Sequence, residues 1–114
     1  MRKIDAGGTI STFAGTGVAQ ASSATNAPAT TVPLNEPTDV AVDATGRVFI
    51  AEHTSQVVRR VELDGKSWPD AGTYGSYNPL QQGDGAPGHL GRVRWIAVDG
   101  AGNLYCSGDS AERN

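Results

Sequence analysis

The stretches AVDATGRVFIAE (41–52) and AVDGAGNLYCSG (97–108) align without a gap at an offset of 56 residues. A second pair, RKIDAGGTISTFAG (2–15) and RRVELDGKSWPDAG (59–72), aligns at an offset of 57. The difference of one places a single-residue insertion or deletion in a connecting loop. A repeat of about 57 residues therefore fills the 114-residue chain twice, and a period of this size marks a chain built from stacked supersecondary units.

Each unit reads as four short strands. Residues 38–43 (TDVAVD) alternate apolar and polar positions with period two, the pattern of a strand with one buried face. DATG (43–46) is a tight turn with glycine where a positive φ is needed. Residues 47–51 (RVFIA) form a second strand and 57–63 (VVRRVEL) a third. The DGK that follows is a hairpin-type turn, and 66–71 form the fourth strand, equivalent to TISTFA (9–14). Pro69 weakens that strand and fits an outer edge. No stretch carries the spacing of a sizeable amphipathic helix. The segment 16–37 is polar and rich in Ala and Thr, which predicts a long loop with at most one helical turn.

The apolar positions Val40, Val42, Val48, Ile50, Val58 and Val61, and their copies Ile96, Val98, Leu104 and Cys106, supply apolar faces for packing one sheet on the next. A single four-stranded sheet cannot bury both of its own faces, so neighbours must cover them. Asp43 and Asp99 end the first strand of each unit and read as turn caps.

These residues resemble the NHL repeat family. The family pattern has a proline, two residues, Val-Ala-Val-Asp, two residues, a glycine-led aromatic strand, a polar turn and an Arg/Val-rich strand. Here it reads PTDVAVDATGRVFIAEHTSQVVRRV (37–61), and again RWIAVDGAGNLYCSGDSAERN (94–114). AGTG (14–17) and GTYGSYNPLQQGDGAPGHLGRV (72–93) are similar to the Gly-rich links of bacterial members. Arg94 departs from the pattern. The resemblance implies an all-β chain, a β-propeller segment of four-stranded antiparallel blades. Residues 1–15 would be the third and fourth strands of a split blade, 16–37 a long link and 38–72 a complete blade. Residues 73–92 would be a Gly-rich link and 93–114 the first and second strands of a split blade. The two half-blades are complementary. Closure by oligomerisation is therefore expected: a homo-oligomer, with a trimer giving the six-bladed ring usual for the family. Dimers and tetramers are the alternatives, as is an excerpt from a longer chain that supplies its own further blades.

Composition narrows the function. A net charge of −3 with scattered basic residues lacks the basic patch of a nucleic-acid binder. No apolar run is long enough to span a membrane. The start has two basic residues but no apolar segment after them, so it is not a signal peptide; an export signal, if there is one, lies outside the sequence. The single cysteine, Cys106, excludes an intrachain disulfide framework and reads as a small buried residue.

The resemblance places ligand-binding loops on the face that carries Glu52, His53, Thr54, Asp109 and Ser110. Asp39 and Trp95 occupy equivalent positions near the start of the inner strands and would line a channel mouth. Asp39, Glu52, His53, Trp95 and Asp109 are thus the candidate ligand-binding residues. His89, Tyr74 and Tyr77 are loop residues of lower weight. GDG (83–85) lacks the alternating carboxylates of a Ca²⁺ loop. No nucleophile, base and orienting group can be assembled. The expectation is a non-catalytic binding or scaffold module with no cofactor, taking a protein, peptide or glycan ligand. The alternatives are a lyase- or lactonase-like enzyme with a metal in the central channel, and an engineered or excised fragment without native activity.

Overall fold

The computed structural model describes residues 1–20, 22, 24–72 and 92–108. They form nine strands and no α-helix. The strands are β1 (Arg2–Ile4), β2 (Ile10–Thr12), β3 (Ala27–Pro28), β4 (Pro37–Val42), β5 (Val48–Glu52), β6 (Val57–Val61), β7 (Lys66–Gly72), β8 (Val93–Val98) and β9 (Leu104–Gly108). The fold class is all-β, as expected from the period-two patterning.

Three antiparallel sheets result: the hairpin β1–β2, a central sheet in the order β3-β7-β6-β5-β4, and the hairpin β8–β9. The period seen in the sequence is a period in the structure. Asp43 accepts hydrogen bonds from the amides of Thr45 (3.0 Å) and Arg47 (2.9 Å). Asp99 accepts from the amides of Ala101 and Asn103, both at 2.9 Å. Asp5 makes the same kind of bonds with Gly7 and Thr9, again at 2.9 Å, but in the other hairpin turn of the unit, whose copy 57 residues on is Glu62 to Gly65. The glycines that close these turns, Gly8, Gly46 and Gly102, all have φ near +90°, a region that side chains disfavour. Even the irregularities repeat. The ladder between β4 and β5 skips Thr38, and the ladder between β8 and β9 skips Arg94, again 56 residues on. Each bulge bends the start of its strand.

The central sheet is covered on both faces. On one, Val48, Ile50 and Val61 pack with Ala14, Ala29 and Leu34, and Met1 and Phe13 close over them. On the other, Phe49, Ala51 and Val58 pack with Val93 and Ile96, flanked by Ala41, Val98, Leu104 and Cys106. Every residue of β5 is buried as a result, which alternation alone would not give: both faces of the strand have neighbours.

Three expectations change. The segment 16–37 is not simply a loop. It contributes β3, which adds a fifth strand beside β7; its 3-10 turn at Ala29–Thr31 is the one helical turn expected there. β7 is therefore not the outermost strand. β3 reaches only Lys66 and Ser67, however, so the stretch around Pro69 keeps an open side, and a register shift beside Asp70 follows it. Val40 and Val42, expected to be covered as packing positions, are 46% and 60% exposed.

Candidate functional site

The starts of β4 and β8 and the turn joining β5 to β6 meet at one end of the central sheet. Much of the polar chemistry there holds the incoming segment down. His53 donates its amide to the Glu36 carbonyl (3.0 Å), and the Thr54 hydroxyl donates to the Glu36 carboxylate. Asn35 donates its amide to Glu52 Oε1 (3.0 Å) and its side-chain amide to Ser55 Oγ (3.1 Å). Glu36 sits at φ +55° and Gln56 at +62°, uncommon conformations for residues with side chains; the stitching between the two segments holds them there.

Glu52, expected on the loop face, is instead the last residue of β5 and is wholly buried. Its Oε2 lies 2.8 Å from Nε of Arg59, itself 1% exposed. The Arg59 guanidinium donates further to the carbonyls of Ser22 (2.6 Å) and Ala24 (3.3 Å) and to Ser67 Oγ (3.3 Å). A buried charge needs a partner and satisfied donors, and Arg59 has both. The pair ties the long segment to the sheet and leaves no carboxylate for a ligand.

Asp39 also has structural bonds. Its Oδ2 accepts the amide of Ile96 (2.9 Å) and its Oδ1 the amide of Val40 (2.8 Å). The neighbouring Thr38 hydroxyl donates to the Arg94 carbonyl (2.8 Å). Two side chains of β4 thus bond the backbone of β8 across the gap between two sheets.

His53, Arg94 and Trp95 come together. Arg94 Nη2 lies 3.3 Å from His53 Nε2. A guanidinium has only donors, so in this contact Nε2 is on the accepting side. The same guanidinium lies 5.8 Å from the centre of the Trp95 ring, within cation–π range, and Trp95 is 55% exposed. Arg94 was legible in the sequence only as a departure from the repeat. Its position in a bulge is what aims it at His53. Asp109, His89, Tyr74, Tyr77 and the GDG turn lie outside the described residues.

This arrangement offers a cation, an imidazole and an exposed indole face, a set suited to a carboxylate or another acceptor-rich group beside a planar or sugar ring. Nucleophilic chemistry has little support in the described residues. Among the described residues the His53 ring meets the Arg94 guanidinium. Burial, aided by the negative charge of Asp70, pushes the Cys106 thiol up, away from the reactive thiolate. Among the described residues no group of three or more His, Cys, Asp or Glu side chains is placed to hold a metal ion.

No protein-family profile and no curated protein matches the chain. Among solved structures it is similar to a structural-genomics protein of unknown function from Bacteroides thetaiotaomicron VPI-5482, with a TM-score of 0.77 and 22% identity. That match covers 94% of this chain and 26% of the other, so the chain spans about a quarter of that protein's length. At this identity the likeness is one of fold.

Proposed function

We propose that the chain is a β-propeller segment of the NHL type, and that its role is non-catalytic binding: a rigid stack of blades presenting His53, Arg94 and Trp95 to a peptide or glycan. The observation that carries the reading is the exposed Trp95 ring beneath the Arg94 guanidinium, held by backbone bonds from Thr38 and Asp39. An aromatic platform with a fixed cation is a recognition device. The propeller reading draws support from antiparallel sheets whose turns and bulges recur at the sequence period, with β8 packed on β4 and β5. A six-bladed ring from three copies is the size the resemblance implies.

Arrays of acidic peptides and of uronic-acid glycans, probed with the purified chain, test the reading. Binding should fall at least tenfold in both Arg94→Ala and Trp95→Ala while the far-ultraviolet spectrum is unchanged. Binding indifferent to both substitutions would refute the proposed site. A turnover activity abolished by His53→Ala would favour the enzyme instead.

A further inference from the structure

The two hairpins at the ends of the chain are copies of parts of the central sheet. By the offset of 56, β8–β9 corresponds to β4–β5; by the offset of 57, β1 corresponds to β6. In the central sheet β5 pairs with β6, with Val48 opposite Val61, Phe49 opposite Arg60 and Ile50 opposite Arg59. Among the described residues β9 pairs with β8 alone and β1 with β2 alone. The described residues hold no counterpart, for Leu104–Cys106 and Arg2–Ile4, of the pairing that joins the two halves of the central sheet.

The faces show the same relation. Ala41, Phe49 and Ala51 take the Ile96, Val98, Leu104 and Cys106 face of β8–β9. The repeat-equivalents of that second set are Val40, Val42, Val48 and Ile50. Val48 and Ile50 are buried in the cluster that Ala14, Leu34, Met1 and Phe13 close, but Val40 and Val42 are open. They border a groove of about 310 Å³ lined with Met1, Lys3 and Phe13, continuous with the buried cluster. The equivalents of Ala41, Phe49 and Ala51 are Ala97, Tyr105 and Ser107, all exposed, Tyr105 by 58%. An apolar shelf without a cover and an aromatic face without a seat thus lie at opposite ends of one chain.

We infer that a second copy of this chain fills the groove: its β9 pairs antiparallel with β1 in the register of β5 on β6, and its Ala97, Tyr105 and Ser107 face seats on Val40 and Val42. The register puts Leu104 opposite Ile4, Tyr105 opposite Lys3 and Cys106 opposite Arg2. The chemistry of the central ladder is preserved. An aliphatic pair matches Val48 with Val61, and an aromatic ring opposite a basic side chain matches Phe49 with Arg60. Strand edges left open pair with other chains, and head-to-tail contacts of this kind propagate until they close a ring. This deepens the propeller reading above and rests on it.

Arg2→Cys tests the register, because Cys106 supplies the other thiol and is the chain's one native cysteine. Under mild oxidation at pH 8.5 the variant should form covalent oligomers on a non-reducing gel, several-fold faster than Lys3→Cys, which is one residue out of register. Lys3→Cys with Tyr105→Cys in a Cys106→Ser background provides a second in-register pair at exposed positions. Equal linking of in-register and out-of-register thiols would mean nonspecific association and would overturn the inference. So would a folded monomer by light scattering at 100 µM, with neither pair linked, leaving the groove to a further repeat of a longer chain. Either result, with amide protection intact across β5 and β6, leaves the propeller reading standing. Loss of that protection in the unmodified chain would count against the blade itself.

Discussion

Glu52 and His53 are neighbours in the sequence and have opposite fates. One ends a strand whose two faces are covered; the other begins the turn. Sequence position alone could not separate them, because the buried partner of Glu52 is Arg59, on the next strand. Breaking a buried ion pair by removing one partner costs about 3–5 kcal/mol, whereas an apolar replacement of both is often near neutral. Arg59→Met should therefore lower the urea-unfolding free energy by about that amount, and Glu52→Leu with Arg59→Met should recover much of it. The carbonyls of Ser22 and Ala24, left without their donor, would keep the recovery partial. The turn aspartates make a different prediction. Burial opposes ionisation of Asp43, but hydrogen bonds from Thr45 and Arg47 outweigh it and hold the carboxyl well below its ordinary value of 3.8. Asp99 is lowered chiefly by the side chain and amide of Asn103. A carboxyl lowered on folding adds stability that is present above its unfolded value and lost as pH falls through its folded value. Carboxyl-carbon titrations should accordingly show both midpoints below 3.8, and Asp99→Asn should flatten the acid limb of the stability curve as pH falls below 3.8.

At the level of elements, the strands were legible because their signals are local. Alternation fixed β4 and β8, Asp-x-x-Gly fixed the turns, and the two offsets paired the copies. The role of the segment before β4 was not legible. Its Ala/Thr-rich residues have no strand pattern, and β3 exists because Ala27 and Pro28 find the outer edge of β7. Contact between sheets was equally hidden. Asp39 reads as a channel-mouth carboxylate, yet its oxygens take two backbone amides, one from the next sheet. A hydrogen bond to a charged group is worth about 1.5–3 kcal/mol, and half-burial places Asp39 toward the lower end. Asp39→Ala should cost about 1–2 kcal/mol and speed hydrogen exchange at the Ile96 amide, while exchange in β6 stays slow. If exchange at Ile96 were unchanged, the clamp between sheets would carry no weight.

Across the whole molecule, burial runs as a gradient from the middle outward. β5 is buried on both faces, β8 on one, β9 is half-buried on one, and β1 and β2 are exposed along their length. Packing against a neighbour stabilises a sheet, and the gradient follows how much of each sheet is packed among the described residues. The exposed Val42 tests whether a second copy supplies a further neighbour. In an isolated chain a side chain that is 60% exposed tolerates polar replacement within about 0.5 kcal/mol. In an assembled ring the same carbon atoms would lie against the partner's Tyr105, and a carboxylate there would be buried without a partner. Val42→Glu should thus leave the melting temperature unchanged at concentrations where the chain is dilute. It should abolish the rise of melting temperature with concentration that association produces. A variant that melts early even when dilute would mean that Val42 is already covered within the chain. A variant whose melting rises with concentration as the parent's does would mean that copies associate elsewhere.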